Sequence, residues 1–359
     1  MTPNTTIATS STTSSATRSD SGHPRPAIRR PGTFVISLDF ELYWGVLESK
    51  SLQGYQQNLE GVPDAITAML RLFKQHSLHV TWATVGLLYC QNRQDALQHL
   101  PNLQPSYTND AVDPYRYLEQ TQSLRPQFHF AKALIDVVAA TPHQEIATHT
   151  FSHYFCQEPG QTKAEFIADL TQAVAIAEQQ GHVLQSIVFP RNQINPEYHD
   201  ALTPLGITNY RGVEDHWAYD PDPTTAKTRK TRLFRLIDSY INLSGFHTHA
   251  LPTPEHHLVN LKSSRFLRPY SPKLRGLDWL KLRRIKRAMT HAAQHGEAFH
   301  LWWHPHNFGT HLQQNMQFLR SVAEHFRTLQ DEYGMRSQTM SELAAEALSA
   351  CDATDPDKW

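Results

Sequence analysis

The sequence contains few cysteines, no long apolar run and no excess of charge of either sign. The three cysteines, Cys90, Cys156 and Cys351, form no CxxC pair, which argues against a disulfide framework and a thiolate zinc finger. No stretch has the apolar length of a membrane-spanning helix. The chain has 33 lysines and arginines against 34 aspartates and glutamates, so no overall field attracts it to nucleic acid. We therefore expect no nucleic-acid partner.

The start of the chain differs in composition from the rest. The first thirty residues are rich in Ser, Thr, Pro and Arg and lack the apolar core of a signal peptide. We predict a disordered tail at 1–30, a single domain at 31–350 and a second tail at 351–359. Polar, proline-containing stretches predict loop excursions near 91–126 and 220–295. The missing export signal leads us to expect a cytoplasmic protein.

Short apolar strands alternate with amphipathic helices along the chain. Strands are predicted at 33–38, 78–85, 145–148, 186–189, 207–210, 233–238 and 298–303. Helices are predicted at 61–76, around 134–138, at 162–178, near 196–205, at 312–329 and at 340–348. This alternation indicates an α/β fold with a largely parallel sheet, whose functional site is expected at the carboxyl ends of the strands.

Two carboxylates stand at the end of the first predicted strand. Residues i and i+2 of an extended chain point the same way, so Asp39 and Glu41 share one side while Phe40 faces the other. Buried carboxylates are costly unless they are paired or bind a cation. The pair is either a functional site or two capping acids in a loop.

Two histidines follow the third predicted strand. His149 and His153 are four residues apart, so on a helical turn both imidazoles would lie on one face and reach the same metal ion. Because the chain has 22 histidines, this spacing alone is a weak signal. A metal site needs a carboxylate ligand, a base and an acid from elsewhere in the chain.

Motifs in chain order supply those groups and resemble the NodB-type polysaccharide deacetylases, the carbohydrate esterase family 4-like N-deacetylases. The residues from His149 to His153, HTFSH, are similar to the H-[ST]-x-x-H motif of that family, and SLDFE at 37–41 is similar to its first motif. FPR at 189–191 resembles the third motif, and LWWH at 301–304 resembles the last. The Asp-x-Glu form of the first motif marks a divergent member.

The resemblance implies a fold and a cofactor. The fold would be a distorted (β/α) barrel of seven mostly parallel strands. One divalent ion would be held by Glu41, His149 and His153, and this donor set suits Zn²⁺, with Co²⁺, Ni²⁺ and Fe²⁺ as alternatives. The ion would activate a water molecule and polarise an acetamide carbonyl.

The resemblance also implies residue roles. Asp39 would accept the proton of the attacking water, Arg191 would hold Asp39, and His304 would protonate the departing amine. Asp215, in a loose match to the fourth motif, would hydrogen-bond His304 from behind. A backbone N–H near Asn192 would help to stabilise an oxyanion.

Departures from the family pattern leave two assignments open. Because Phe40 separates the two acids, Asp39 and Glu41 can exchange the roles of base and metal ligand. His306 competes with His304 for the role of acid, although the apolar run ends at His304.

The predicted function is metal-dependent removal of an N-acetyl group from an amino sugar in a polysaccharide, an oligosaccharide or a lipid-linked glycan. Alternatives are a deformylase or other amidohydrolase on the same fold, a retaining glycosidase, and a non-catalytic glycan-binding protein. The ten lysines and arginines within 262–287 predict a solvated helix face, or else a patch for a phosphate-bearing substrate or an anionic membrane surface. The oligomeric state is left open.

Overall fold

The computed structural model describes residues 1–2, 30–221 and 228–354. Most of the tail predicted at 1–30, and residues 355–359 of the second tail, lie outside the described residues. Residues 351–354 continue the last helix. No described helix is long and apolar enough to cross a membrane.

The centre of the fold is a sheet of parallel strands. The described residues form nine strands: β1 Thr33–Phe40, β2 Val80–Thr84, β3 Gln144–Thr148, β4 Ser186–Ile187, β5 Asn209–Tyr210, β6 Val259–Asn260, β7 Arg265–Phe266, β8 Ala298–Trp303 and β9 Arg336–Gln338. Eight of them follow the order β6-β5-β4-β3-β2-β1-β8-β7, and β9 pairs with the start of β1. Every residue of β1 is buried because helices cover the sheet. The prediction of an α/β fold with a mostly parallel sheet is confirmed.

The predicted barrel of seven strands needs correction. The path has eight strands and is open, with β6 and β7 at its two ends, and the residues 261–264 connect them. Residues 233–238, predicted as a strand, belong to the helix Arg229–Asp238, which begins at the side-chain cap Thr228. A short apolar run fits a strand and a helix equally well, and β6 and β7, two residues each, are too short to show a pattern.

Helices surround the sheet. Their bounds are Leu52–Glu60, Val62–His76, Arg93–Gln98, Pro114–Gln120, Pro126–His129, Lys132–Ala139, Lys163–Gln179, Arg229–Asp238, Asp278–His295, Leu312–Tyr333 and Met340–Thr354. The predicted capping box is present, since Thr162 accepts a hydrogen bond from the Glu165 N–H and the Glu165 carboxylate accepts one from the Thr162 N–H. The helix predicted near 196–205 is instead two short 3₁₀ segments, because Pro204 breaks the hydrogen-bond ladder.

The loop excursions predicted near 91–126 and 220–295 also contain regular structure. The first includes two short helices, Arg93–Gln98 and Pro114–Gln120. The second includes the helix Asp278–His295, on which Arg283 and Arg287 are exposed as expected for a solvated face. The basic run is therefore partly a helix surface.

The register of the sheet brings distant residues to one edge. Phe40 pairs with Thr84, Thr84 with Thr148, Thr148 with Ile187, and Ile187 with Tyr210. The residues that directly follow this row lie side by side at the carboxyl edge, and they include Glu41, His149, Val188 and Arg211. On the other side of β1, Leu38 pairs with Trp303, which places His304 opposite Asp39.

Candidate metal centre and active site

The Glu41 carboxylate lies between two imidazoles. Its Oε2 atom is 3.2 Å from His149 Nε2 and 3.1 Å from His153 Nε2, and all three side chains are buried. One donor atom from each residue lies within 4.8 Å of the other two. A β-carbon on Gly45 would overlap this carboxylate, so only glycine fits there. The structure therefore brings together the three residues predicted as metal ligands.

The tautomer of His149 shows that this cluster suits a cation. His149 Nδ1 lies 2.7 Å from the Val188 carbonyl oxygen, which can only accept a hydrogen bond, so Nδ1 carries a proton. In the neutral imidazole, Nε2 then has only its lone pair, and this lone pair faces a carboxylate oxygen of Glu41. Two acceptors in contact need a proton or a metal ion between them. A histidine oriented through Nδ1 and a buried carboxylate are the donors that a divalent ion such as Zn²⁺ binds.

The histidines meet through a loop, which corrects the helical turn expected from their spacing. Residues 149–155 form no helix, and Thr150 and His153 have left-handed backbone angles, with φ of 63° and 68°. The loop is held against the 3₁₀ segment Gly86–Tyr89, which follows β2, because the N–H groups of Gly86 and Leu87 donate to the carbonyls of Thr150 and Phe151.

Asp169 stabilises this loop from below. Its carboxylate accepts hydrogen bonds from the Phe151 N–H at 2.7 Å and from the Tyr115 hydroxyl at 2.6 Å. The Ser152 hydroxyl also donates to it, and Asp169 is completely buried. Asp169 lies on the helix Lys163–Gln179, so the position of the candidate metal ligands in this loop depends on that helix.

Asp39 is held by an arginine that the sequence analysis missed. Both terminal nitrogens of Arg211 donate to the carboxylate, at 2.6 and 2.9 Å, and the guanidinium is completely buried. Arg211 also stacks on Trp302 at 4.1 Å. Burial by itself would raise the pKa of Asp39, but the charge and hydrogen bonds of Arg211 outweigh it and lower that pKa. Asp39 is therefore ionised.

Arg191 does not take the role predicted for it. Its guanidinium pairs with Glu48 and Glu158 and lies 4.1 Å from the centre of the Phe155 ring. The motif placed the arginine after the strand at 186–189, whereas the structure supplies the charge from the end of the next strand. The sequence does contain an indication of this role, because Arg211 directly follows the strand predicted at 207–210, just as His149 directly follows the strand predicted at 145–148.

His304, and not His306, faces the open side of the cluster. His304 Nε2 is 3.6 Å from Asp39 Oδ2 and 3.5 Å from Glu41 Oε1, and the side chain is 22% exposed. The ring of His306 stacks on that of His304 but is buried, with Nε2 3.9 Å from Glu41 Oε1. Burial, followed by the neighbouring charge of His304, lowers the pKa of His306 to about 3. His306 therefore remains neutral.

The group behind His304 is Asn307 and not Asp215. The Asn307 amide lies 3.3 Å from His304 Nδ1, and its carbonyl accepts a hydrogen bond from the Tyr55 hydroxyl, which points the amide N–H at the imidazole. His304 Nε2 then carries the proton in the neutral ring. Asp215 pairs with Lys262 at 2.5 Å, and its side chain is 69% exposed.

The expected oxyanion donor near Asn192 is also occupied. The backbone N–H of Asn192 donates to the Phe189 carbonyl at 2.8 Å, and the next N–H, of Gln193, donates to the Pro190 carbonyl. The Asn192 side chain accepts a hydrogen bond from Arg211 at 2.8 Å. Asn192 therefore orients Arg211, and neither N–H points into the site.

These groups open into a cleft of about 340 Å³. Asp39, Glu41 and His304 line it, and so do the aromatic residues Phe266 and Trp302. A larger cavity of about 650 Å³ is formed by residues within 196–210 and 253–260, but none of the predicted site residues lines it. The smaller cleft is therefore the candidate active site.

No family model and no curated protein sequence matches this chain. A protein of Mycobacterium smegmatis that is provisionally assigned as a polysaccharide deacetylase superimposes with a TM-score of 0.56, at 13% identity, over 91% of this chain and 93% of that one. A second protein with that provisional assignment, from Pseudomonas aeruginosa PAO1, superimposes with a TM-score of 0.52, at 12% identity, over 90% and 97%. The chain has the polysaccharide deacetylase fold.

That fold does not by itself assign a reaction. A 4-alpha-glucanotransferase of Thermococcus litoralis superimposes with a TM-score of 0.50, at 11% identity, over 88% of this chain but only 40% of its own. Enzymes named for different reactions thus share the polysaccharide deacetylase fold, and the activity has to be inferred from the residues in the cleft.

Replacing Arg211 tests whether it neutralises Asp39. In metal-free protein, Arg211→Ala should lower the free energy of unfolding by about 3–5 kcal/mol at neutral pH, because a buried carboxylate loses its counter-charge. Burial then raises the pKa of Asp39, so protonation removes the unpaired charge, and the deficit should shrink as the pH falls through that raised pKa. Denaturant unfolding at several pH values measures both effects.

The matched control is Arg191→Ala, since Arg191 is 23% exposed and belongs to a separate ion pair. Arg191→Ala should lower the free energy of unfolding by less, and this loss should not change with the ionisation of Asp39. A deficit for Arg211→Ala that stays constant between neutral and acidic pH would contradict the assignment.

Replacing Asp169 tests its support of the histidine loop. Asp169→Ala leaves buried donors without an acceptor, at a cost of about 1–3 kcal/mol for each, and should weaken metal affinity because the loop loosens. Asp169→Asn keeps one acceptor oxygen and should be much less harmful. Unfolding and metal titration measure the two effects, and unchanged metal affinity in Asp169→Ala would show that the loop is held without it.

Proposed function

We propose that this protein is a metal-dependent hydrolase that removes an N-acyl group from an amino sugar, with N-acetyl as the favoured acyl group. The observation that carries the proposal is the arrangement around Glu41. A buried carboxylate and two imidazoles form a cation site, with an ionised carboxylate on one side and a solvent-accessible imidazole on the other. Ligands, base and acid for amide hydrolysis thus share one cleft of a polysaccharide deacetylase fold.

The contacts favour one division of labour between the two acids. Glu41 lies between His149 and His153 and serves as the metal ligand. Asp39 is kept ionised by Arg211 and serves as the general base that takes a proton from the attacking water. A divalent ion, with Zn²⁺ favoured by the donor set, would supply a Lewis acid for the acyl carbonyl.

The leaving amine needs a proton, and His304 is placed to give it. Its Nε2 faces the two carboxylates from the open side of the cleft, and Asn307 orients the ring in place of the predicted Asp215. Phe266 and Trp302, with ring centres 4.7 Å apart, offer an apolar surface for the face of a sugar ring. The products would be a free amino sugar and a carboxylate, acetate for an N-acetyl substrate.

The same contacts make a retaining glycosidase the weaker candidate. That reaction needs one protonated carboxylic acid with a raised pKa beside an ionised one. Burial acts to raise the pKa of Asp39 and Glu41, but Arg211 outweighs it at Asp39 and the histidines outweigh it at Glu41, so both pKa values are lowered. Neither group is suited to be the acid.

Substitutions in the cluster test the division of labour. His149→Ala and His153→Ala should lose bound metal and activity together. Asp39→Asn should keep the metal and lose about 10²–10⁴-fold of kcat, the usual loss when a general base is removed. Elemental analysis and acetate release from N-acetylated sugars, lipid-linked precursors and polymers measure these effects. Loss of metal in Asp39→Asn would reverse the roles of Asp39 and Glu41, and metallated wild type that binds the sugars but releases no acid would favour a binding protein.

The choice between the two late histidines is tested in the same assay. His304→Ala should lower kcat by about 10²–10⁴-fold with the metal retained, because the amine then leaves without a proton donor. His306→Gln should affect stability more than kcat, since the residue is buried. A larger loss of kcat in His306→Gln would assign the acid to His306.

A further inference from the structure

The cleft is also lined by two arginines that the proposed reaction does not use. Arg235 and Arg268 both line it, in the same cleft as Asp39 and His304, and both are only partly exposed. Arg235 belongs to the helix Arg229–Asp238 and Arg268 follows β7. Two elements that are distant in sequence thus bring guanidinium groups to the same cleft.

Neither of these two cations forms a close ion pair within the part of the chain that the structure describes. Among the described residues, neither guanidinium has a carboxylate within the 4.0 Å of an ion pair. Arg235 donates only to main-chain carbonyls, those of Ala218 and Asp220. The acids that act on Arg235 from a longer distance are Glu214 and Asp220, and burial raises the pKa of Glu214. Burial lowers the pKa of Arg268, and the charges of Arg235 and Arg265 lower it further, against an opposing effect of nearby tyrosines.

The neighbouring arginines of the basic run show the contrast. Arg265 pairs with the buried Asp238 at 2.5 Å, and Arg284 pairs with the same carboxylate at 3.0 Å. The Tyr219 hydroxyl also donates to Asp238. This network fixes the end of the helix that carries Arg235 against β7. The helix that carries Arg235 is thus joined to the strand that precedes Arg268, and we refer to these two arginines as the arginine wall of the cleft.

The arginine wall shares the cleft with its aromatic residues. Phe266 ends β7 and Arg268 follows two residues later, and both residues line the same cleft. The Phe266 ring lies 5.8 Å from the ring of His304, centre to centre. The aromatic rings, the reacting groups and the two arginines therefore all line the cleft in which a sugar would bind.

We propose that Arg235 and Arg268 bind an anionic group, a phosphate or a carboxylate, that the sugar substrate carries in addition to its N-acyl group. This inference rests on the proposed function, because it names the substrate class for the same cleft. A guanidinium matches the oxygens of phosphate and carboxylate and forms strong charge-assisted hydrogen bonds with them. A neutral glycan would leave two partly desolvated cations unpaired, which is costly. The substrate is therefore an anionic N-acylated sugar, such as a sugar phosphate or an N-acylated uronic acid.

Binding and turnover of matched probes test the inference. The probes are N-acetylglucosamine 1-phosphate, an N-acetylated amino uronic acid, and neutral chitooligosaccharide. Calorimetric titration measures affinity without turnover, and acetate release measures kcat/KM. Arg268→Ala should weaken binding of the anionic probes about 10–100-fold, the loss of one or two charge-assisted hydrogen bonds, and leave the neutral probe unchanged. Added salt should weaken binding of the anionic probes alone.

Two further variants make the result specific. Arg275→Ala removes an exposed arginine of the same basic run that does not line the cleft. It should change neither the affinity for the anionic probes nor the affinity for the neutral probe. Arg268→Lys keeps the charge and should recover part of the loss. Arg268 makes no side-chain hydrogen bond to the described residues, so its replacement should leave the free energy of unfolding nearly unchanged, which denaturant unfolding checks.

The outcomes separate the inference from the proposed function. Equal binding of neutral and anionic probes, unaffected by Arg268→Ala, would overturn the inference while acetate release could still support the function. Arg268-dependent binding of an anionic probe without acyl release from any probe would support the inference and contradict the proposed reaction. A dependence seen with the phosphate probe only, or with the uronic acid only, identifies which anion the arginine wall accepts.

Discussion

The bidentate ion pair between Asp39 and Arg211 is the contact on which the active site depends. It joins the end of β5 to the end of β1, two strands that are not neighbours in the sheet, through a guanidinium that is completely buried. Ser37 and Asn192 accept further hydrogen bonds from the guanidinium of Arg211, and it stacks on Trp302, so three more contacts hold it in position. Burial favours the protonated form of a carboxylate that lacks such a partner, so without Arg211 the cleft would lose the ionised carboxylate proposed as its base.

Around that pair, the parallel register decides which groups can meet. Glu41, His149 and Arg211 each follow a strand that ends in the same row, so residues more than a hundred positions apart reach one another without long side chains. Local backbone geometry then sets the directions of the side chains. The left-handed residues Thr150 and His153 turn the loop so that both imidazoles face one carboxylate, and Asp169 holds that loop in place.

The charged groups in and around the cleft fall into two kinds, those that pair with each other and those that suit a bound ion. Asp39 and Arg211 satisfy each other, and Asp238 satisfies Arg265 and Arg284, so these ions stabilise the fold. Glu41 with its histidines suits a cation, whereas Arg235 and Arg268 suit an anion. A candidate cation site, two arginines and two aromatic rings thus line one cleft, which supports the proposal of a sugar that carries both an N-acyl group and a negative charge.

The sequence by itself determined the fold class and the candidate metal ligands. Its buried strands β1, β2, β3 and β8 are long enough to show their pattern, and the residues that follow parallel strands must share one edge, which is why Asp39, Glu41, His149 and His304 were found. The strand count was wrong because β6 and β7 are two residues long and the apolar run at 233–238 suits a helix equally well.

Only the tertiary structure decided the partners of the charges. Arg191 and Asp215 occupy the expected places along the chain, yet Arg191 pairs with Glu158 and Asp215 pairs with Lys262. The contact with Asp39 predicted for Arg191 is made by Arg211, and the contact with His304 predicted for Asp215 is made by Asn307. Motif order fixes where a residue stands in the sequence, but an ion pair depends on a distance across the sheet. That distance is set by strand register and side-chain direction, which a single sequence does not contain.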